Sequence, residues 1–199
     1  MRLNWAERLV VNNPLRMVMQ QMEMLWFMYA AFPRPNLRFL EIGCGRGAGA
    51  RILLKKMHPR RIDALDLDYL MVQKAKGLLT PEERARVSLC VGDSTLLPFK
   101  SATHDIIFGF GFLHHVPDWQ SAVKETARVL KPGGRYYIEE IYPPLYLNAI
   151  TRRLLLHPTE NRFDGKDLKI ALADAGFFLE AFLESRFLGI LGVAVRLPD

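Results

Sequence analysis

Between Phe39 and Gly49 the chain reads Phe-Leu-Glu-Ile-Gly-Cys-Gly-Arg-Gly-Ala-Gly. An apolar run that ends in spaced glycines and passes into a helical pattern lets a ligand approach the backbone closely, because no side chain stands in the way and the loop can take positive φ. Gly43, Gly45 and Ala48 also satisfy the spacing of a dinucleotide site, so a nicotinamide or flavin is one candidate ligand. The next apolar run closes on Asp66, whose carboxylate can accept both hydroxyls of a ribose, whichever nucleoside is bound. Up to this point the residues select a nucleoside without naming it.

Later segments narrow the choice. Glu41 stands ahead of the first glycine and Asp66 after the second apolar run. Gly92-Asp93-Ser94 follows the third run, Asp105 to Val116 closes in Leu113-His114-His115-Val116, and Leu130-Lys131-Pro132-Gly133-Gly134 precedes the fifth. In this order and spacing they resemble the class I S-adenosylmethionine (SAM) dependent methyltransferases, in particular the small-molecule branch that includes the ubiquinone and menaquinone biosynthesis enzymes. The resemblance covers roughly residues 37–197 and leaves residues 1–36 outside it. It implies SAM as cofactor, with Glu41 among the cofactor-binding residues, Gly43, Cys44 and Gly45 on its methionine and ribose part and Asp66 on the ribose hydroxyls. It further implies Leu67 on the adenine face, Asp93 and the backbone of Ser94 on the adenine edge, and Gly109 beside the sulfonium. A nicotinamide-dependent oxidoreductase remains the competing enzyme reading, and a methyltransferase-like binding subunit without turnover the non-enzymatic one.

A sulfonium makes its methyl group electrophilic already, so a protein mainly has to exclude water and align the nucleophile, an effect worth about 7 to 11 kcal/mol in favourable cases. A base is needed only if the acceptor must lose a proton, as a phenol or enol must. His114 and His115 follow the fourth apolar run, where the acceptor is expected, and are the candidate catalytic residues. The alternative is a turn signature in which one imidazole packs and the other bonds a backbone carbonyl. Glu139, Glu140 and Tyr142 close the fifth run. One glutamate can orient an amine or polarise a hydroxyl there, although such a pair is more often one inward and one outward residue. The Asn/Asp-Pro-Pro-aromatic motif of enzymes that methylate nucleic-acid bases is missing after the fourth run, which reads Phe108-Gly109-Phe110-Gly111-Phe112, so nucleic acid is not expected as substrate. No carboxylate cluster spells a metal site, and none is expected.

These residues need a scaffold that brings them to one edge. Leu37 to Ile42, Arg61 to Leu67, Val87 to Val91, Asp105 to Gly109 and Arg135 to Glu140 read as strands, with helical patterns over about 46–57, 69–79 and 119–130 between them. Such alternation predicts an α/β fold with a doubly wound parallel sheet covered on both faces. The family resemblance makes it a Rossmann-like seven-stranded sheet in the order 3-2-1-4-5-7-6 with strand 7 antiparallel. Phe177 to Glu184 and Ile190 to Leu197 lack a helix between them and are expected to pair as a hairpin through Arg186 to Gly189. Asp68 and Asp118 stand where helix N-caps belong. Ahead of the sheet, Asn13 can cap and Pro14 can open a helix in which Leu15, Val18, Met19, Met22, Leu25, Trp26 and Tyr29 form a wide apolar face opposite Arg16, Gln20 and Glu23, ended by Pro33 and Pro35. The expected organisation is an amphipathic helical extension over residues 1–36 and one methyltransferase domain over residues 37–199.

With 199 residues, half of them hydrophobic, a net charge of +6 and two cysteines, the composition fits one globular domain and excludes a disordered, collagenous or disulfide-stapled chain. The opening residues lack the grammar of a signal peptide, so a cytoplasmic protein with Cys44 and Cys90 as reduced thiols is expected. The longest apolar run, Met24 to Phe32, is too short for a bilayer, which needs about 20 residues. The expected partner is a small-molecule substrate. Phe108, Phe110 and Phe112, the segment Ile141 to Leu156 and the Met-rich helix either wall an apolar, quinone- or lipid-like acceptor pocket or fill the core. The same helix, with the basic charge, also raises peripheral contact with a membrane surface.

Overall fold

The computed structural model describes residues 14–146 and 160–198, and places seven strands in one sheet of order β3-β2-β1-β4-β5-β7-β6. The strands are β1 (Arg38–Ile42), β2 (Arg61–Asp66), β3 (Val87–Val91), β4 (His104–Phe110), β5 (Leu130–Ile141), β6 (Phe177–Ser185) and β7 (Gly189–Arg196). The first five run parallel, and β7 is antiparallel to both β5 and β6. The expected order, orientation and C-terminal hairpin are therefore present. β5 starts earlier than its apolar run suggests, because Leu130 already pairs with His104 before the Lys-Pro-Gly-Gly segment bulges and pairing resumes at Arg135 opposite Ile106.

The helices are α1 (Pro14–Ala30), α2 (Ala48–Met57), α3 (Tyr69–Leu78), the single turn α4 (Pro81–Arg84), α5 (Trp119–Val129), the turn α6 (Pro143–Tyr146) and α7 (Gly165–Asp174). Asp68 caps α3 by accepting from the Leu70 amide (2.9 Å), and Asp118 caps α5 by accepting from that of Ser121 (3.2 Å), as their positions predict. The cap expected at Asn13 lies outside the described residues. One face of the sheet packs on α5 and α7 through Trp119, Ala122, Val123, Leu168 and Leu172, and the other on α1 and α2 through Met24, Phe27, Ala50, Leu53 and Met57. Because both faces are covered, neighbouring residues of the central strands are buried on opposite sides of the sheet.

Phe108 is fully buried, stacked between Phe110 and Tyr137, with Phe27 and Phe39 edge-on or tilted against it, and Phe112 joins the opposite core. The phenylalanines of β4 and its following loop therefore pack into the core.

Helix α1 lies with its expected faces reversed. Gln20, Glu23, Met24 and Phe27 are buried, while Val18, Met19, Met22, Leu25 and Tyr29 are exposed. The apolar stripe does not line an acceptor pocket. The reason is local: the C-terminal half of α1 meets the aromatic core with Phe27, and its N-terminal half meets acidic residues at the carboxyl ends of the strands, where Arg16 is the matching partner. This arrangement predicts that Phe27→Ala lowers the unfolding free energy by about 3–5 kcal/mol, whereas Leu25→Ala changes it by less than about 0.5 kcal/mol, as read from urea unfolding curves. The opposite ranking would restore the apolar stripe to the interior.

Candidate active site

Strand β1 delivers Glu41 and then the glycine loop to the carboxyl edge of the sheet. The Gly43 and Cys44 amides both donate to the Leu65 carbonyl (2.8 and 2.9 Å), turning the loop back over β2. Gly43 has φ +71° and a Cβ there would stand 2.6 Å from the Phe112 Cβ, so no other residue fits. Gly45 also has positive φ, but a Cβ there would meet nothing within 4 Å. Its backbone faces open space, as a ligand cradle requires.

Glu41 is completely buried and accepts a hydrogen bond from the Ala50 amide in the first turn of α2. Gly49 makes room for it, since a Cβ there would lie 2.0 Å from Glu41 Oε1. The other oxygen, Oε2, has no hydrogen-bond partner. Burial, reinforced by the nearby Asp66 charge, raises the Glu41 pKa to about 8. A carboxyl group thus already sits at the start of α2, where a dinucleotide would place its pyrophosphate.

Asp66 ends β2 and accepts from the amides of Gly45 and Asp68 (2.8 Å each), one at each carboxylate oxygen, so that it aims at the glycine loop. Burial pushes its pKa up, against the pull of those two bonds. Each oxygen keeps a second lone pair for a ribose hydroxyl. Val91 pairs with Asp66, and the Gly92 amide donates to the Asp66 carbonyl (3.0 Å), which brings Asp93 to the same edge. The Thr95 amide and hydroxyl both bond Asp93 Oδ1 (2.8 Å each), so Oδ2 retains its acceptor capacity, and Ser94 beside it is buried. Leu67 is 41% exposed at this edge. At Gly109 the position of the missing Cβ is 2.6 Å from the Phe112 ring and 2.9 Å from the Tyr136 hydroxyl, so a side chain has no room there.

The far side of the edge is organised by the two glutamates that close β5. Both are buried, against the expectation of one inward and one outward, because each faces a covered side of the sheet. Glu140 Oε1 accepts from the Phe112 and Leu113 amides (2.9 and 2.8 Å), and Oε2 bonds His114 Nδ1 (2.7 Å). The Glu140 carboxylate thus orients the His114 ring, with Nδ1 as donor. The His115 ring is half-buried with its centroid 4.2 Å from that of His114, and is not part of the carboxylate contact. Glu139 Oε2 accepts from Arg16 (2.6 Å), which also bonds Glu23 (2.5 Å). Burial raises Glu139 to about 8 despite the guanidinium. Glu139 Oε2 and His114 Cε1 lie 3.1 and 3.5 Å from the position a Cβ would take on Gly111, so a carboxyl group and an imidazole converge over that glycine.

Arg16, Gln20 and Glu23 escape a reading from sequence because a polar stripe on an amphipathic helix ordinarily faces water. Arg16 and Glu23 are, however, the sole charged residues of α1 and lie on one face, the one hint of a buried pair.

The sheet order, the glycine loop and the acids at its edge match what residues 40–138 show on their own, which fit the family described as "Methyltransferase domain". The chain belongs to the class I SAM-dependent methyltransferases. It is 34% identical over 119 residues to a demethylmenaquinone methyltransferase of Lactococcus lactis, covering 57% of this chain and 47% of that protein. It is 30% identical over 107 residues to a phthiotriol/phenolphthiotriol dimycocerosates methyltransferase of Mycobacterium tuberculosis, covering 52% and 37%. The chain thus spans less than half the length of these relatives. A Haloferax volcanii methyltransferase solved with the Trm112 activator shares the fold over 100% of both chains, with a TM-score of 0.79 at 20% identity. Among the described residues, no helix is long and apolar enough to cross a membrane.

The raised Glu41 pKa has a signed consequence. Between its ordinary value and about 8 the folded protein holds a proton that the unfolded chain has released, so stability falls as pH rises through that window. Glu41→Gln, which can still accept from the Ala50 amide, is expected to flatten this slope by roughly 1 kcal/mol per pH unit, measured by chemical denaturation between pH 5 and 8.

Proposed function

We propose that this methyltransferase transfers the SAM methyl group to a small acceptor bearing an ionisable hydroxyl, of the phenol, quinol or enol kind. The observation that supports the cofactor half is Glu41: a buried carboxyl group bonded to the first turn of α2 takes the place a pyrophosphate would need, and a cationic ligand favours its ionised form. Acidic residues also gather at this edge, where Asp66 and Glu139 close β2 and β5 and Arg16 pairs with Glu23 and Glu139. A nicotinamide cofactor has no comparable support.

SAM supplies a methyl group already activated by its sulfonium. Gly43, Cys44 and Gly45 hold its methionine and ribose part through backbone groups, and Asp66 accepts the ribose hydroxyls. Leu67 packs on the adenine, and Asp93 accepts from its exocyclic amine. His114 Nε2 takes the proton from the acceptor hydroxyl, while Glu140 holds Nδ1–H, fixes the ring orientation and stabilises the imidazolium that forms. Glu139 faces the same place across Gly111 and positions the acceptor. The acceptor class rests on this base and on the quinone- and phenol-related names of the relatives.

Isothermal titration of SAM, S-adenosylhomocysteine and NAD tests the cofactor half. The adenosyl compounds are expected to bind, Asp66→Ala to weaken them at least tenfold, and NAD to give no heat; NAD binding without them would refute the reading. For the acceptor half, transfer of labelled methyl to demethylmenaquinol is expected to fall about 10²- to 10⁴-fold in His114→Gln with SAM affinity unchanged. Equal rates in the two proteins would remove His114 from the chemistry.

A further inference from the structure

The outer face of α1 is the largest feature that the site leaves unexplained. Val18, Met22, Leu25 and Tyr29, with Phe32 just past the helix end, are all more than half exposed; Leu25 is 53% and Tyr29 90%. Their spacing alternates four and three residues, which is the seam by which one helix packs on another. We propose that this face is where two copies of the chain pair, with their α1 helices antiparallel about a two-fold axis at Leu25.

Side-chain size chooses the partner and the direction. Antiparallel pairing about Leu25 sets Val18 against Phe32 and Met22 against Tyr29, with Leu25 meeting its own copy. Each outer layer then joins a smaller residue to a larger one, and the central layer pairs two leucines. Parallel pairing would crowd Phe32 on Phe32 and Tyr29 on Tyr29 at one end and leave Val18 on Val18 loose at the other. Charge agrees with a second copy. The two charged residues of α1, Arg16 and Glu23, turn inward and bond each other, so identical helices meet without like charges. A helix lying on a membrane surface would instead carry Lys or Arg beside its apolar face, and α1 has none there. A stable interface buries on the order of 1,200–2,000 Å² in total, more than one helix stripe supplies. The same side of the sheet extends the apolar surface: Phe178 and Leu183 of edge strand β6, paired with Val195 and Leu191 of β7, are 60% and 55% exposed, and α1 packs against β7.

Sedimentation equilibrium of the full chain is expected to give twice the chain mass, and Leu25→Glu, which sets two carboxylates on the axis, to give the single mass with an unchanged thermal midpoint. Should Leu25→Glu fold poorly, cysteine variants decide: under mild oxidation Leu25→Cys is expected to cross-link to itself, whereas Val18→Cys alone is not, and Val18→Cys mixed with Phe32→Cys is. A chain that stays single at every concentration, a dimer that Leu25→Glu leaves intact, self-linking of Val18→Cys in place of Leu25→Cys, or a single chain that pellets with anionic phospholipid vesicles would each overturn the proposal.

Discussion

A buried acid, bonded to the opening turn of a helix, shapes what can rest on the glycine loop. The loop alone is ambiguous, since its spacing suits either a dinucleotide or an adenosyl ligand. Glu41 favours the adenosyl ligand because its carboxyl group already takes an amide that a pyrophosphate would need. Gly49 makes the contact possible by leaving space that any side chain would close. The cost is a carboxyl group held partly protonated near neutral pH, a local loss of stability that a cationic ligand offsets.

The rest of the edge follows the same economy of buried carboxylates fixed by backbone amides or by one opposite charge. Asp66 is held by two amides, Glu140 by three amides and an imidazole, and Glu139 by Arg16. Such groups are already oriented before a ligand arrives, so little reorganisation is left for the moment of binding. Helix α1 belongs to this system although it precedes the part of the chain that fits the family. Its inward polar face supplies the guanidinium that keeps Glu23 and Glu139 from facing each other unscreened.

Much of this was legible in the residues. Strand and helix alternation predicted the parallel sheet, the two strands without an intervening helix predicted the hairpin, and Asp68 and Asp118 announced their caps. Glu41, Asp66 and Asp93 all reach one edge. The misses have physical causes. An amphipathic pattern states that a helix has two faces but not which one the fold will bury, and in α1 a buried ion pair and two anchoring residues, Met24 and Phe27, outweighed a longer apolar stripe. The phenylalanines of β4 were equally compatible with pocket and core until neighbouring Phe27 and Tyr137 closed around them. The alternate-face rule for Glu139 and Glu140 held, but its usual corollary of one exposed residue failed because this strand lies between two layers.

The account is tested most directly by the carbon-13 resonance of the Glu41 carboxyl in selectively labelled protein, followed through a pH titration with and without SAM. The midpoint is predicted near 8 in the free protein and lower once SAM is bound, because the ligand brings positive charge to a buried acid. A midpoint at the ordinary value for a glutamate, or one that SAM leaves in place, would contradict it.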